Sequence, residues 1–132
     1  RKGIDAKRPA PEKSSADAIA AAAVQVAQTI GAQAIVALTE SGSTALRVAR
    51  EKPDCPVLGL TASLAVARRL AAVWGVHAIT APGVHSMTQA VENALKISRA
   101  EGFAKKGDEI VIVAGIPFGQ PGTTNALRVA RL

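Results

Sequence analysis

Aromatic residues are nearly absent: 132 residues include no tyrosine, one tryptophan and two phenylalanines. A surface that stacks nucleotide bases needs aromatic faces. Nucleic acid is therefore not an expected partner, despite a formal net charge of +6. Cysteine occurs once, at Cys55, which excludes an internal disulfide and fits a cytoplasmic, reducing environment. His77 and His85 are the only histidines. No His, Cys, Asp or Glu set has metal-ligand spacing, so no cofactor is expected within this domain. No apolar run reaches the roughly 18 residues of a membrane span. The opening stretch RKGIDAKRPAPEKSS has no apolar segment of the kind a secretory signal needs, so no membrane partner is expected. GxSxG is missing, and Cys55 beside Pro56 has no helical or basic setting that would activate it. GxxxxGK[ST] and GxGxxG are missing too, which excludes a Walker loop and a dinucleotide fingerprint. By itself the chain is expected to be non-catalytic.

Aliphatic residues and alanine supply what the aromatics do not. The chain is 48% hydrophobic, enough for one domain with a core of Ala, Val, Ile and Leu. Residues 1–13 are polar, carry Pro9 and Pro11 and show no sustained period. They are expected to form a linker or arm from a missing upstream domain, a terminal tail being the other reading. Five basic side chains (Arg1, Lys2, Lys7, Arg8, Lys13) against Asp5 and Glu12 concentrate positive charge there.

From residue 14 helix and strand patterns alternate. A helix over 15–31 is predicted, capped by Ser14 or Ser15 and ended by Gly31, with Ile19, Ala23, Val26 and Ile30 as its apolar stripe. A short strand, Ala34–Leu38, leads through a polar turn into a helix from about Ser43 to Lys52, stopped by Pro53. Strand 56–61 precedes a helix over 64–74 that places Trp74 toward the core. Strand 76–80 is followed by a helix from Ser86 to about Glu101, with Met87, Val91, Leu95 and Ser98 or Ile97 inward. The run EIVIVAG, from Glu109, reads as the most buried strand. Residues 125–132 alternate with period two, as a half-exposed last strand does. Such alternation requires an α/β fold: a mostly parallel sheet with helices on both faces and ligands at the strands' carboxyl ends.

Two loops stand out at those carboxyl ends. In the first, Thr39, Glu40, Ser41, Gly42, Ser43 and Thr44 join strand to helix. Unpaired N–H groups, the helix dipole and three hydroxyls suit the turn to an anion such as phosphate. The same residues would equally serve if Ser43 or Thr44 merely capped the helix. In the second, IPFGQPGTTN, Gly119 and Gly122 allow tight turns, while Thr123, Thr124 and Asn125 offer donors. This loop reads either as a second jaw for a phosphorylated ligand or as a stiffened chain reversal.

The segments TESGSTALRVAREKPDCPVLGLTAS, ARRLAAVWGVHAI and KKGDEIVIVAGIPFGQPGTTNALRV, in this order and spacing, resemble the C-terminal domain of pyruvate kinases over residues 14–132. The resemblance implies a three-layer sandwich: a five-stranded sheet, four strands parallel and the last antiparallel, flanked by helices. It implies a regulatory and assembly role beside a (β/α)8 barrel that transfers a phosphoryl group from phosphoenolpyruvate to ADP. Mg2+ and K+ are expected in that barrel, and a homo-tetramer in the full-length enzyme. Where a sugar phosphate is the effector, it implies a phosphate site at Thr39, Ser41, Gly42, Ser43 and Thr44, with Gly119, Gly122, Thr123 and Thr124 opposite. Two positions depart from the family pattern. Val73-Trp74-Gly75 stands for the common Tyr-Arg-Gly, and Gln120-Pro121 stands where a basic residue is often found. A stand-alone, non-catalytic domain that binds a phosphorylated metabolite is the alternative.

Overall fold

The computed structural model describes residues 14–119 and 124–132. The arm expected over 1–13 lies outside the described residues. Among the described residues nine elements follow one another: α1 (Ser15–Ile30), β1 (Ala34–Leu38), α2 (Ser43–Arg50), β2 (Val57–Thr61), α3 (Leu64–Leu70), β3 (Val76–Thr80), α4 (Met87–Ala100), β4 (Glu109–Ala114) and β5 (Ala126–Arg131). The strands form one sheet in the order β3-β2-β1-β4-β5. β1 to β4 pair in parallel, and β5 runs antiparallel to β4. The expected α/β architecture is the observed one. No described helix is long and apolar enough to cross a membrane.

Burial on both faces explains the continuous apolar runs of the central strands. Val36 on β1 lies between Leu58 and Ile112 in the register. These three residues share one face with Ala34, Leu60 and Ile110, which α4 covers through Ala94. Ile35, Ala37, Val57, Val111 and Val113 face the other way, against α1, α2 and α3.

Small residues decide how the helices sit. α1 buries Ala16, Ala20, Ala23, Val24 and Ala27. Ile19 and Val26 lie at the flank of this face, and Ile30 is 37% exposed. The expected stripe is thus rotated, because alanines let the helix axis approach the sheet while bulkier side chains fill the margins. α4 repeats the pattern. Its buried line is Ala90, Ala94 and Ser98, with Val91, Leu95 and Ile97 partly buried beside it.

A second correction concerns Trp74, which is 95% exposed and not in the core. α3 stops at Leu70, and the chain tightens through Ala72 N–H to Arg69 O (3.3 Å) and Val73 N–H to Leu70 O (2.9 Å). These three-residue turns leave the α-helical period before position 74, so the indole swings outward.

The start of α1 carries a reciprocal cap. Asp17 N–H donates to Ser14 Oγ (3.2 Å), and Ser14 N–H donates to Asp17 Oδ2 (3.1 Å). Arg47 of α2 adds an ion pair to Asp17 Oδ1 at 3.2 Å. The Ser14 hydrogen bonds, from backbone and side chain, hold the Asp17 carboxyl below its ordinary value, and Arg47 adds to this. A carboxylate depressed on folding stabilises fully above its unfolded value, and that contribution disappears as pH falls through the folded one. Asp17→Asn is therefore expected to melt below the wild type near neutrality, with the gap narrowing progressively as pH falls below the ordinary aspartate value of about 3.9. Melting temperatures across an acid series test this; a gap that does not change with pH contradicts it.

Candidate functional site

The turn between β1 and α2 is organised from within. Thr39 N–H reaches Leu60 O (2.9 Å), anchoring the turn to the end of β2. Its buried hydroxyl accepts Gly42 N–H at 2.8 Å, closing a small hydroxyl turn. Gly42 is the N-cap, with φ +96, a left-handed conformation that glycine adopts without strain. A methyl group added there would meet Val66 Cγ1 at 3.4 Å and Leu70 Cδ2 at 3.5 Å.

α2 therefore begins on a residue with no side chain to cap it, and the Ser43 N–H turns to Ser41 Oγ at 3.4 Å. Neither Ser43 nor Thr44 is the cap. Ser43 is the first helical residue, and its Oγ accepts from Ser41 Oγ at 3.1 Å. The Thr44 hydroxyl is turned to Thr124, with the two Oγ1 atoms 2.7 Å apart and both residues buried. First-turn N–H groups have no partner within the helix, and the dipole adds partial positive charge around them.

Arg69 also reaches this turn. From the last turn of α3 its Nη2 donates to Ser41 O at 3.3 Å. In sequence Arg68 and Arg69 read only as the polar side of a helix. The crossover from β2 to β3 brings α3 alongside the turn and makes Arg69 a member of it.

The second loop leaves β4 at Ala114 and returns at Asn125. Asn125 holds both polar groups of Ile116: its Oδ1 accepts Ile116 N–H (2.8 Å), and its Nδ2 donates to Ile116 O (2.6 Å). Asn125 N–H bonds to Ala114 O at 3.1 Å. Gly119, at φ +89, is exposed, and no atom of the described residues comes near its absent Cβ. Gly122 and Thr123 lie outside the described residues.

Between the loops is a crevice of about 40 Å³, at the carboxyl ends of the parallel strands. Strand order reverses between β1 and β4, which is where open α/β sheets bind ligands. Thr39, Glu40 and Thr44 line it from the first loop, Phe118 and Gly119 from the second, and Asn93 from α4. Ser41, Gly42 and Ser43 belong to the adjoining turn but not to the wall. The crevice admits a few water-sized groups. Glu40 places a carboxylate on this wall, which suits hydroxyl groups better than an anion. The anion-compatible side is the neighbouring turn, where Ser41, Ser43 and Arg69 meet.

A larger hollow, about 980 Å³, lies toward the amino ends of β2 and β3 between Leu46, Ala49, Pro53, Val73 and Trp74. Its walls are mainly apolar. Cys55 lies there half-buried, and burial pushes its thiol above the ordinary value, away from a reactive thiolate. His77, on the outer strand, also lines this hollow and packs on Phe103 with ring centres 4.8 Å apart.

The family profile described as "Pyruvate kinase, alpha/beta domain" matches residues 17–130. The chain belongs to the pyruvate kinase family. Within that family it is the C-terminal alpha/beta domain. It is 45% identical to a pyruvate kinase of Methylorubrum extorquens over 125 residues, covering 95% of this chain and 26% of the relative. It is 41% identical to one from Agrobacterium vitis over 128 residues, covering 97% of this chain and 27% of the relative. A pyruvate kinase of Geobacillus stearothermophilus is 39% identical over 113 residues, 86% of this chain and 19% of the relative. The chain thus spans about a quarter or less of these pyruvate kinases.

Proposed function

We propose that this chain is the regulatory domain of a pyruvate kinase and binds the phosphate of a small effector at the turn before α2. The observation that carries this is the Gly42-capped N-terminus of α2. Gly42 brings no side-chain cap to its first turn, which Ser41, Ser43 and Arg69 flank. Phosphate accepts hydrogen bonds from backbone N–H groups and hydroxyls, and Arg69 supplies a planar cation. The hydroxyl-bearing body of a sugar phosphate then extends toward Glu40 and Asn93 in the crevice.

Phosphoryl transfer from phosphoenolpyruvate to ADP is assigned to a barrel outside these residues. Mg2+ and K+ are proposed to belong to that barrel. That barrel and further copies of the chain are the proposed partners, with a tetramer as the assembly and effector binding shifting its state.

The test is calorimetric titration of the full-length protein with hexose and pentose phosphates. Ser41→Ala and Arg69→Ala are each expected to weaken affinity about 10-fold, the equivalent of one charge-assisted hydrogen bond. Circular dichroism should be unchanged, since both side chains sit at the surface of the turn. Full affinity in both variants would place the ligand elsewhere.

A further inference from the structure

Thr44 and Thr124 are 80 positions apart in sequence, yet their hydroxyls meet at 2.7 Å in the protein interior. Their exposures are 5% and 2%, so both residues are almost wholly withdrawn from solvent. A threonine hydroxyl has one proton to donate, and in this pair one of the two protons lies between the oxygens. The next residue, Asn125, closes the neck of the second loop on Ile116 and Ala114. The loop is therefore closed at its base and, through Thr124, tied forward to the first turn of α2.

We propose that Thr44 and Thr124 are positioning residues whose bridge sets the spacing of the two loops, and that they do not themselves hold the ligand. This inference rests on the phosphate-binding reading for what the spacing serves; the tie between the loops does not depend on it. Resemblance and residue type place both threonines among the phosphate contacts. The geometry gives them another task, and leaves the ligand to Ser41, Ser43, Arg69 and the first-turn N–H groups. Thr44 is suited to the task because its backbone is part of the helix start where the anion sits. A shift of that turn moves the Thr44 hydroxyl and, through it, Thr124 and the clasp at Asn125.

The experiment is hydrogen exchange in the full-length protein, followed in peptides spanning 114–126, with Thr44→Val, Thr124→Val, the double variant and Thr124→Ser. Valine keeps the shape and removes the hydroxyl; serine keeps the hydroxyl and tests whether any loss is one of packing. Each valine variant is expected to speed exchange of the Asn125 amide about 5–10-fold, as loss of one buried hydrogen bond would. The double variant should go no further, because either change breaks the same bond. Thr124→Ser should restore slow exchange. The same proteins are then titrated with a hexose bisphosphate, where Thr124→Val should raise Kd about 10-fold and Thr124→Ser should recover it. Unchanged exchange in Thr124→Val, or effects that multiply in the double variant, overturns the tie. Altered exchange with undiminished affinity in Thr124→Val overturns the positioning role. A wild type that binds no sugar phosphate, with the exchange result intact, overturns the phosphate reading and the positioning role while the tie survives.

Discussion

Replacing Leu70 with alanine is expected to lower stability by about 2–5 kcal/mol, the range for emptying a fully buried leucine site. Leu70 is 2% exposed at the end of α3 and lies over two glycines. A methyl group on Gly59 of β2 would come within 3.0 Å of Leu70 Cδ1, and one on Gly42 would come within 3.5 Å of Cδ2. The leucine therefore fills the space that both glycines leave open, and it lies under the turn that begins α2. Its truncation removes about three carbons of burial and leaves a hollow that neighbouring backbone cannot easily close. Denaturant unfolding measures the loss. Leu64→Ala on the same helix is the control; at 55% exposure it should fall within about 0.5 kcal/mol of the wild type. If Leu70→Ala costs less than about 1 kcal/mol, the packing of α3 against Gly42 and Gly59 is looser than described. Because Gly42 rests on this side chain, Leu70→Ala should also weaken effector binding without removing any proposed contact.

Ser43→Asp is expected to reduce affinity for a sugar phosphate about 100-fold while leaving the melting temperature unchanged or slightly raised. Ser43 is the first helical residue of α2. A carboxylate there interacts favourably with the helix dipole, by about 0.3–1 kcal/mol. The same carboxylate occupies the region proposed for the ligand's phosphate. Two charges about 4 Å apart near a protein surface repel by up to about 4 kcal/mol before screening by salt, enough for the predicted loss. Ser43→Ala, which removes only a hydroxyl, should cost about 10-fold. Stability and affinity thus move apart in one variant, which a damaged fold cannot imitate. Undiminished affinity in Ser43→Asp would show that the anion does not bind at this helix start.

Much of the fold was legible in the chain because its signals are local. Ser14 and Asp17 bracket a helix start, Gly31 ends the same helix in a left-handed conformation, and Ser63 and Ser86 cap α3 and α4 as their positions suggest. The four apolar runs became the four parallel strands, and the period-two tail became the fifth, antiparallel one. Each signal depends on a few neighbouring residues, so sequence spacing is enough to read it. The helix faces were read less well, because the spacing rule favours large side chains. In α1 and α4 the residues closest to the sheet are alanines and Ser98, chosen by how near the helix must come.

The candidate site divides along the same line. By itself the sequence determined that a glycine-containing hydroxyl turn follows β1 and that a second loop follows β4, since both depend on residues adjacent in the chain. Only the tertiary structure decided what the side chains in them do. Thr44 meets Thr124 because β1 and β4 are neighbours in the sheet, and Arg69 meets Ser41 because α3 packs beside the turn. Trp74 lies outside because α3 ends a turn early. These are contacts between residues far apart in sequence or exits from a helical period, and pairing and packing settle them after the local elements have formed.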